Sequence, residues 1–486
     1  MTKSGPTRHL VAVDLGATSG RVMLAEVGGG QLRIEQLTRF ANGPLPIWDG
    51  TRTGLHWDVP GLFAHIREGL ALAARRAPDL TGIGIDSWAV DYGLLRDGRL
   101  LGLPYHYRDD RSSAGTEIVH NAVSPEILYS RNGLQFLPFN TVYQLAAEKA
   151  CGTLELADHA LLIPDLIGYW LTGQMRTERT NASTTGLLDI HGDWDDDLMS
   201  TLGFPTDLFG PLIEPGCELG QVLPSVGSGL GVPGGVTVNA VASHDTASAV
   251  AAVPMNSDNA AYISCGTWGL VGVELAHRVV DQAARSANFT NEVGADGRIR
   301  LLRNVMGLWL LSESVRQWER EGTVIDLPDL IDGATFAQPP AQVFDTDADE
   351  FLTPGDMPSR ISRWYTQRGL PAPNGHAEMV RAILESLAAA FAERVQQAAQ
   401  LSATEVRTVH MVGGGAQNRL LCQLTADRLG LPVLAGPVEA TAIGNVLISA
   451  RTQQLIGADL TAARAMVAAT FPPQQYDPRP AALRKA

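Results

Sequence analysis

One octapeptide decides the fold of this chain: Asp14-Leu15-Gly16-Ala17-Thr18-Ser19-Gly20-Arg21. Apolar, β-branched runs flank it at 9–13 and 22–27, so the sequence predicts a β-hairpin with a polar tip. Small tip residues let the backbone approach an anion, and the N–H groups and hydroxyls of the octapeptide can donate to phosphate. Asp14 can hold hydrated Mg²⁺. The octapeptide therefore predicts a phosphate loop with a metal anchor; the alternative is a hairpin that only uses turn residues.

The residues after the octapeptide extend the same sheet. Period-two alternation over 32–40 predicts a third strand. Helical spacing over 58–74 predicts a helix that leads to another strand at 82–85. The predicted order of elements is therefore β-β-β-α-β.

The same pattern restarts near residue 260. A strand-like run at 260–264 is followed by a second small-residue turn, Cys265-Gly266-Thr267-Trp268-Gly269, and by a returning strand at 270–274. Two such units predict duplicated α/β domains that close on one ligand. We place the boundary near Val253, which gives domains of 1–252 and 253–486.

A third glycine-rich turn comes later in the chain. A helical pattern at 376–401 and a strand at 406–412 precede Gly413-Gly414-Gly415-Ala416-Gln417-Asn418, and a helix follows. Glycines at such a strand-to-helix turn let a flat adenine or a phosphate lie against the backbone. Asn418 stands where the last glycine of G-x-G-x-x-G would fall, so the turn does not match a nicotinamide dinucleotide site.

Two acidic motifs are candidates for the chemistry. Ser243-His244-Asp245-Thr246 places a carboxylate at the end of a strand predicted over 236–241, with capping of the following helix as the alternative role for Asp245. Ile85-Asp86-Ser87-Trp88-Ala89-Val90-Asp91 follows a strand and combines an aromatic face with carboxylate acceptors, a combination that suits a sugar. The alternative is that Trp88 only fills the core.

Composition limits the classes of partner. A length of 486 residues, 45% of them hydrophobic and 18% charged, is typical of a compact protein with more than one domain. A net charge of −15 argues against nucleic-acid or anionic-membrane binding and favours small-molecule chemistry. Four widely spaced cysteines and the lack of a long apolar run at 1–10 predict a cytoplasmic protein with reduced thiols.

Taken together, these motifs resemble the FGGY family of carbohydrate kinases in their order and spacing, over nearly the whole chain. The resemblance implies an α/β fold of two actin-like, ribonuclease H-like domains with a catalytic cleft between them. Stretches at 107–111, 137–145, 180–185, 243–250 and 304–309 resemble the branch of the family that phosphorylates L-rhamnulose. The implied reaction uses ATP and Mg²⁺ to phosphorylate the C1 hydroxyl of that sugar.

The site residues follow from the motifs and the resemblance together. Asp245 is the expected base and Asp14 the expected metal ligand. Residues expected to bind ATP are Ala17, Thr18, Ser19, Gly20, Arg21, Gly266, Thr267, Asn304, Ser312, Gly414 and Gly415. Residues expected to bind the sugar are Asp86, Trp88, Ala89, His244, Asp245 and Thr246. Two positions depart from the family pattern: Ser312 replaces an expected glutamine, and Ala89 an expected glycine.

Three other functions compete with this interpretation. The first is a kinase of the same family for another ketose or polyol, such as xylulose, fuculose or glycerol, because only pocket contacts distinguish these substrates. The second is an actin-like or Hsp70-like ATPase, since a fold does not dictate a function. The third, a nicotinamide oxidoreductase, is disfavoured by the interrupted glycine motif. The expected partners are a sugar and ATP, and the sequence leaves the oligomeric state open.

Overall fold

The structure is a computed structural model that describes residues 7–255 and 259–480. The chain divides into two compact units. The first unit comprises the described residues of Met1–Pro254, Leu275–Leu301 and Ala440–Thr470, and the second comprises those of Met255–Glu274, Leu302–Glu439 and Phe471–Ala486. The ends of the predicted domains, 1–6 and 481–486, lie outside the described residues, and the division at Val253 stays a prediction.

The strands are numbered in chain order. They are β1 Arg8–Leu15, β2 Ser19–Gly28, β3 Gln31–Ala41, β4 Leu45–Trp48, β5 Thr53–His56, β6 Leu80–Ser87, β7 Tyr92–Arg96, β8 Arg99–Leu100, β9 His159–Leu162, β10 Thr177–Glu178, β11 Leu212–Ile213, β12 Glu218–Gln221, β13 Thr237–Asn239, β14 Ala260–Cys265, β15 Trp268–Leu275, β16 Thr290–Val293, β17 Ile299–Met306, β18 Thr408–Val412, β19 Val433–Ala435 and β20 Gln474–Tyr476.

The helices follow the same convention. They are α1 Val59–Arg76, α2 Ser112–Ala122, α3 Pro125–Asn132, α4 Thr141–Ala150, α5 Ile163–Thr172, α6 Arg179–Ala182, α7 Asp196–Leu202, α8 Pro224–Leu230, α9 Asp245–Ala251, α10 Gln282–Ser286, α11 Trp309–Arg320, α12 Leu327–Phe336, α13 Met357–Thr366, α14 Gly375–Ser402, α15 Arg419–Leu429, α16 Ala440–Thr452 and α17 Leu460–Thr470. Short 3₁₀ turns lie at Leu154–Leu156, Ala295–Gly297, Asp349–Phe351 and Gly414–Gln417.

The central sheet of the first unit has the strand order β12-β13-β6-β1-β2-β3. β1 pairs antiparallel with β2, which confirms the predicted hairpin, and it pairs parallel with β6. Six consecutive residues of β1, 10–15, are buried. Because alternate side chains of a strand point to opposite faces, continuous burial means that both faces are covered. α1 and α16 both pack on β1 and supply part of that cover.

The helix predicted over 58–74 is α1. The Asp58 carboxylate accepts from the Gly61 backbone N–H at 3.0 Å and caps the N-terminus, and Leu62, Ile66 and Leu70 face the core. The sequence pattern gave no sign of the β4–β5 hairpin just before α1, because its strands are short and largely exposed.

The second unit repeats this topology. Its strands run in the order β17-β15-β14-β18-β19-β20, with β14 antiparallel to β15 and parallel to β18. In both units a hairpin is therefore extended by a parallel strand from later in the chain, which confirms the predicted duplication of α/β domains. β20 lies in the tail after Pro472, where the sequence shows no pattern; a three-residue strand is too short to produce one.

The long stretch between β6 and β13 forms a helical insertion in the first unit. It holds a small sheet, β8-β7-β9, and a core that includes Val119, Leu145, Leu162 and Leu187. The uncharged stretch 219–243 contains the short helix α8 as well as β13, where the sequence predicts loops before a strand. No helix within the described residues is long and apolar enough to span a membrane.

Candidate active site

The predicted first phosphate loop is the tip of the β1–β2 hairpin. Gly16 N–H donates to the Ser19 carbonyl at 3.0 Å, and the side chain of Asn42, the residue after β3, donates to the Gly16 carbonyl at 2.8 Å. These two hydrogen bonds fix the turn. Thr18 is exposed and Ala17 and Ser19 are half-buried. The tip therefore presents backbone and hydroxyl groups to solvent in a defined conformation.

Gly20 has a steric role beside that tip. A Cβ at this position would lie 2.3 Å from the Phe40 ring, which packs from β3. A larger residue here would displace the Phe40 ring, so Gly20 has a packing role independently of any ligand.

Two carboxylates lie side by side below this loop. Asp14 and Asp86 are register partners on the parallel strands β1 and β6 and are almost completely buried. The Arg21 guanidinium, opposite Asp14 on β2, lies 3.1 Å from Asp14 Oδ2. Asn445 Nδ2 donates to Asp86 Oδ2 at 2.6 Å. Burial, with the Asp14 charge beside it, raises the pKa of Asp86 well above its ordinary value.

The geometry fits the predicted role of Asp14 as a metal ligand better than the predicted role of Asp86 at the sugar. No group of three or more His, Cys, Asp or Glu side chains converges as a metal cage within 7–255 and 259–480. Mg²⁺ does not need such a cage, because it keeps several waters and binds one or two carboxylates together with phosphates. Asp14, beside the loop, fits that description. Asp86 is turned towards Asn445, so its role at the sugar stays a prediction.

Asp245 is the first residue of α9, and its side chain does not cap that helix. His244 occupies the cap position and makes no side-chain capping bond. Thr246 Oγ1 donates to Asp245 Oδ1 at 3.0 Å, and His244 Nε2 lies 3.4 Å from the same oxygen. The Asp245 side chain keeps 29% of its surface exposed. Desolvation by the surrounding protein raises its pKa. A reachable carboxylate with a raised pKa suits a general base.

The backbone that carries Asp245 is tied to a buried glutamate. Ser243 donates to Glu178 Oε2 from both its backbone N–H, at 3.0 Å, and its hydroxyl, at 2.7 Å. Thr180 Oγ1 donates to the same Glu178 oxygen at 2.6 Å and accepts from His244 N–H at 3.2 Å. Ser87 N–H donates to the Ser243 carbonyl from β6. Sequence reasoning missed Glu178, which lies next to a stretch that it did select, 180–185.

The predicted sugar-facing segment has a strained backbone. Ala89 is half-buried, and Val90 has φ of 66°, a left-handed conformation that a β-branched residue rarely adopts. Thr141 Oγ1 donates to the Val90 carbonyl at 2.7 Å and holds the turn. Strain of this kind persists only where surrounding contacts enforce it, and it is concentrated at functional sites.

Asp91 fixes the aromatic residues next to this turn. It accepts from the indole N–H of Trp57 (2.6 Å) and of Trp88 (3.0 Å), from Tyr107 N–H (3.1 Å) and from Gln144 Nε2 (2.7 Å). Burial raises its pKa to about 6 although these donors oppose the shift. The four donors converge on one carboxylate from four parts of the first unit.

An aromatic layer backs Trp88. The ring of Trp57 lies 4.0 Å from that of Trp88 and 4.0 Å from that of His106, and Tyr107 continues the layer towards Phe139. Burial lowers the pKa of His106 to about 3, so its ring is neutral. Sequence reasoning missed Trp57 and His106, because single aromatic residues carry no spacing signal.

The second predicted phosphate loop is the tip of the β14–β15 hairpin. Gly266 N–H donates to the Trp268 carbonyl at 2.8 Å, and the Gly266 and Thr267 carbonyls accept from the backbone of 307–309. A Cβ on Gly307 would lie 2.5 Å from the Trp268 carbonyl carbon. Gly307, which no predicted role covered, lets the start of α11 close against the loop.

The third glycine turn packs against the same loop. A Cβ on Gly415 would lie 2.3 Å from Cys265 Sγ, whereas a Cβ on the exposed Gly414 would meet nothing within 4 Å. The second unit thus brings 265–269 and 413–415 together. Asn304 on β17 and Ser312 on α11 are half-buried in the same unit.

Comparison with known proteins identifies the relatives of this chain. A Bacteroides thetaiotaomicron protein named rhamnulokinase is 39% identical over 478 residues, which cover 97% of this chain and 96% of that protein. A rhamnulokinase of Enterobacter sp. (strain 638) is 43% identical over 451 residues, covering 92% and 89%. Gluconate kinase from Lactobacillus acidophilus superposes with a TM-score of 0.76 at 18% identity, over 98% of this chain and 94% of that one, which shows a shared fold.

Two protein-family models, one for each domain, together match most of the chain. The N-terminal domain of the FGGY family of carbohydrate kinases matches residues 9–252, and the C-terminal domain of that family matches residues 261–452. With the duplicated α/β topology, these matches confirm the two-domain actin-like fold and ATP as a substrate. The chain belongs to the FGGY family of carbohydrate kinases.

Proposed function

We propose that this enzyme transfers the γ-phosphoryl group of ATP to the C1 hydroxyl of L-rhamnulose, releasing L-rhamnulose 1-phosphate and ADP in L-rhamnose breakdown. One observation carries the choice of sugar: relatives named rhamnulokinase are 39–43% identical over nearly all of the chain. Its proposed location is the cytoplasm, and its partners are a sugar and ATP, without nucleic acid or membrane.

Asp245 is the proposed base. It takes the proton of the C1 hydroxyl as that oxygen attacks the γ-phosphorus and the bond to the ADP oxygen breaks. Its exposed surface and raised pKa support this role, because a base must be reachable and must hold the proton it accepts. Phosphoryl transfer otherwise depends chiefly on positioning and on stabilising negative charge.

The proposed contacts to ATP come from both units. In the first, they are the hairpin tip and Arg21; in the second, they are Gly266, Thr267, Asn304, Ser312 and the glycines 414 and 415. The exposed backbone of both hairpin tips supports donation to phosphate oxygens. Asp14 would hold a hydrated Mg²⁺, which supplies charge neutralisation on the phosphates when bound.

The proposed sugar contacts surround Ala89. Trp88 and Ala89 would face the 6-deoxy methyl group of L-rhamnulose, while His244 and Thr246 would act close to Asp245. A rigid apolar surface leaves a hydroxyl at C6 without a hydrogen-bond partner, so it disfavours sugars that carry one. The aromatic layer behind Trp88 supports such rigidity.

A coupled ADP-release assay across a sugar panel tests the proposal. L-Rhamnulose should give the highest kcat/KM, and ketoses with a hydroxyl at C6, such as L-fructose, should be worse by about ten- to a few hundredfold, the effect of one unpaired hydroxyl. L-Fuculose, D-xylulose and glycerol complete the panel. A higher kcat/KM for any of these would make this a family member with another substrate. ADP release that does not depend on sugar would make it an ATPase.

A further inference from the structure

Two charged residues that no motif predicted lie behind the proposed base. Glu292 on β16 and Arg300 on β17 are both in the first unit, and their side chains lie 3.1 Å apart. Arg300 is fully buried and Glu292 is nearly so. Between this pair and Asp245 lies His244, which is 5% exposed.

The distances define a chain of contacts that ends at the base. Arg300 Nη2 lies 3.1 Å from His244 Nδ1, and Glu292 Oε2 lies 3.3 Å from the same nitrogen. His244 Nε2, on the other side of the ring, lies 3.4 Å from Asp245 Oδ1. Arg300 also donates to the Val293 carbonyl from Nε and Nη2, which fixes the plane of the guanidinium.

The charge state of the pair follows from its surroundings. Burial acts to raise the pKa of Glu292, but the charge of the Arg300 guanidinium is the largest effect that opposes burial, and the pKa is lowered. Glu292 is therefore ionised at neutral pH and compensates the charge of Arg300. A buried ion pair costs desolvation free energy and contributes little net stability, so stability alone does not account for the pair.

The chemistry of arginine determines the tautomer of His244. Two groups lie near His244 Nδ1, and of these Arg300 Nη2, not Glu292 Oε2, has the geometry of a hydrogen bond. A guanidinium has only donors, so Nδ1 accepts from Arg300 and carries no proton in the neutral ring. The ring proton then sits on Nε2, which lies 3.4 Å from Asp245 Oδ1. Thr246 Oγ1 donates to that same oxygen. Asp245 Oδ2 is therefore the oxygen that remains for a substrate proton.

We propose that Glu292 and Arg300 are positioning residues that hold His244 as the Nε2–H tautomer and thereby orient Asp245 with Oδ2 towards the sugar hydroxyl. The inference rests on the proposed function of Asp245 as the base. The pair acts through His244 and does not touch the substrate.

Glu292→Gln tests the role of the pair with little change in shape. The substitution leaves the Arg300 charge uncompensated and weakens the hydrogen bond from Arg300 to the His244 ring. We therefore expect kcat to fall about ten- to a hundredfold, which is the free-energy contribution of one charge-assisted hydrogen bond. The KM for ATP should stay within about twofold of the wild-type value. Glu385→Gln is the matched control, because Glu385 is a buried glutamate that forms ion pairs with Arg381 and Arg428 in the second unit.

The pH profile separates positioning from a loss of packing. The charged or titratable groups around Asp245 are His244, Glu292, Arg300 and Asp86. Without the Glu292 charge, the Arg300 charge favours the Asp245 carboxylate more strongly and lowers its pKa. The acid limb of kcat/KM should therefore move to lower pH in Glu292→Gln and stay in place in Glu385→Gln.

A measurement on the wild-type protein reports the His244 tautomer directly. ¹⁵N NMR of histidine-labelled enzyme, with the His244 signals assigned through His244→Gln, should show a ring that is protonated at Nε2 and not at Nδ1. A ring protonated at Nδ1, or at both nitrogens, would overturn the inference. So would a Glu292→Gln enzyme with wild-type kcat and pH profile while Asp245→Asn is inactive. An active Asp245→Asn enzyme would instead overturn the proposed base.

Discussion

At the scale of single residues, Asp245 combines two properties that usually exclude each other. Its carboxylate is surrounded closely enough for desolvation to raise its pKa, yet 29% of the side chain stays accessible. Because a base must be ionised before it can take a proton, a raised pKa moves the loss of activity in acid to a higher pH than an ordinary aspartate would give. The acid limb of kcat/KM should therefore lie above pH 3.8, the ordinary pKa of an aspartate.

Asp245→Asn should lower kcat by about 10² to 10⁴, because the amide cannot accept the proton. Nucleotide binding should be unchanged, since the substitution keeps the shape of the side chain. Steady-state kinetics and ATP titration of the variant measure the two effects, with Asp207→Asn on an exposed surface as the control. Near-normal turnover would exclude Asp245 as the base.

Asp91 has a structural role that depends on pH. Asp91→Ala should lower the free energy of unfolding by about 2 kcal/mol or more at pH 7, because two indole N–H groups lose their acceptor. Burial raises the folded pKa to about 6, so the folded state holds this proton more tightly than the unfolded chain. The Asp91 carboxyl group therefore contributes most to the free energy of unfolding below pH 4, and part of that contribution is lost as pH rises to about 6.

Urea unfolding followed by tryptophan fluorescence can measure this dependence. The stability gap between wild type and Asp91→Ala should narrow between pH 4 and pH 7 by up to about 3 kcal/mol. Groups shared by both proteins cancel in the difference, and Asp207→Ala serves as the control. A gap that widens over this range would contradict the raised pKa.

At the scale of elements, the two hairpin tips and the third glycine turn were predictable because small residues between apolar runs carry a local signal. The packing role of each glycine could not be predicted, because it depends on a neighbour far away in sequence. Gly20 accommodates Phe40, and Gly415 accommodates Cys265. Likewise, the sequence placed Asp245 at the start of a helix but could not show that its side chain leaves the helix uncapped.

Gly415→Ala and Gly414→Ala form a matched pair for the third turn. The added methyl group at 415 would collide with Cys265 Sγ, so the variant should lose about 1 to 3 kcal/mol of stability and show a raised KM for ATP as the second loop shifts. The same change at 414 meets open space and should leave the free energy of unfolding within about 0.5 kcal/mol of wild type. Equal stabilities in chemical denaturation would contradict this packing.

At the scale of the whole molecule, the duplicated topology was visible in the sequence. The sequence did not show to which of the two units several segments belong. Residues 275–301 and 440–470 belong to the first unit although they lie late in the chain. Helical or alternating periodicity shows which face of an element is buried but not which sheet buries it. The bond between Asp86 and Asn445, 359 positions apart, and the Glu292–Arg300 pair depend on that arrangement and left no local pattern.

The most direct test of the proposed reaction follows one carbon atom. L-Rhamnulose labelled with ¹³C at C1 should yield, with ATP, a single product whose C1 signal shows ¹³C–³¹P coupling, in amounts equal to the ADP formed. Asp245→Asn should form this product at a rate lower by about 10² or more. Phosphate attached to another carbon, or inorganic phosphate as the only phosphorus product besides ADP, would contradict phosphoryl transfer to the C1 hydroxyl.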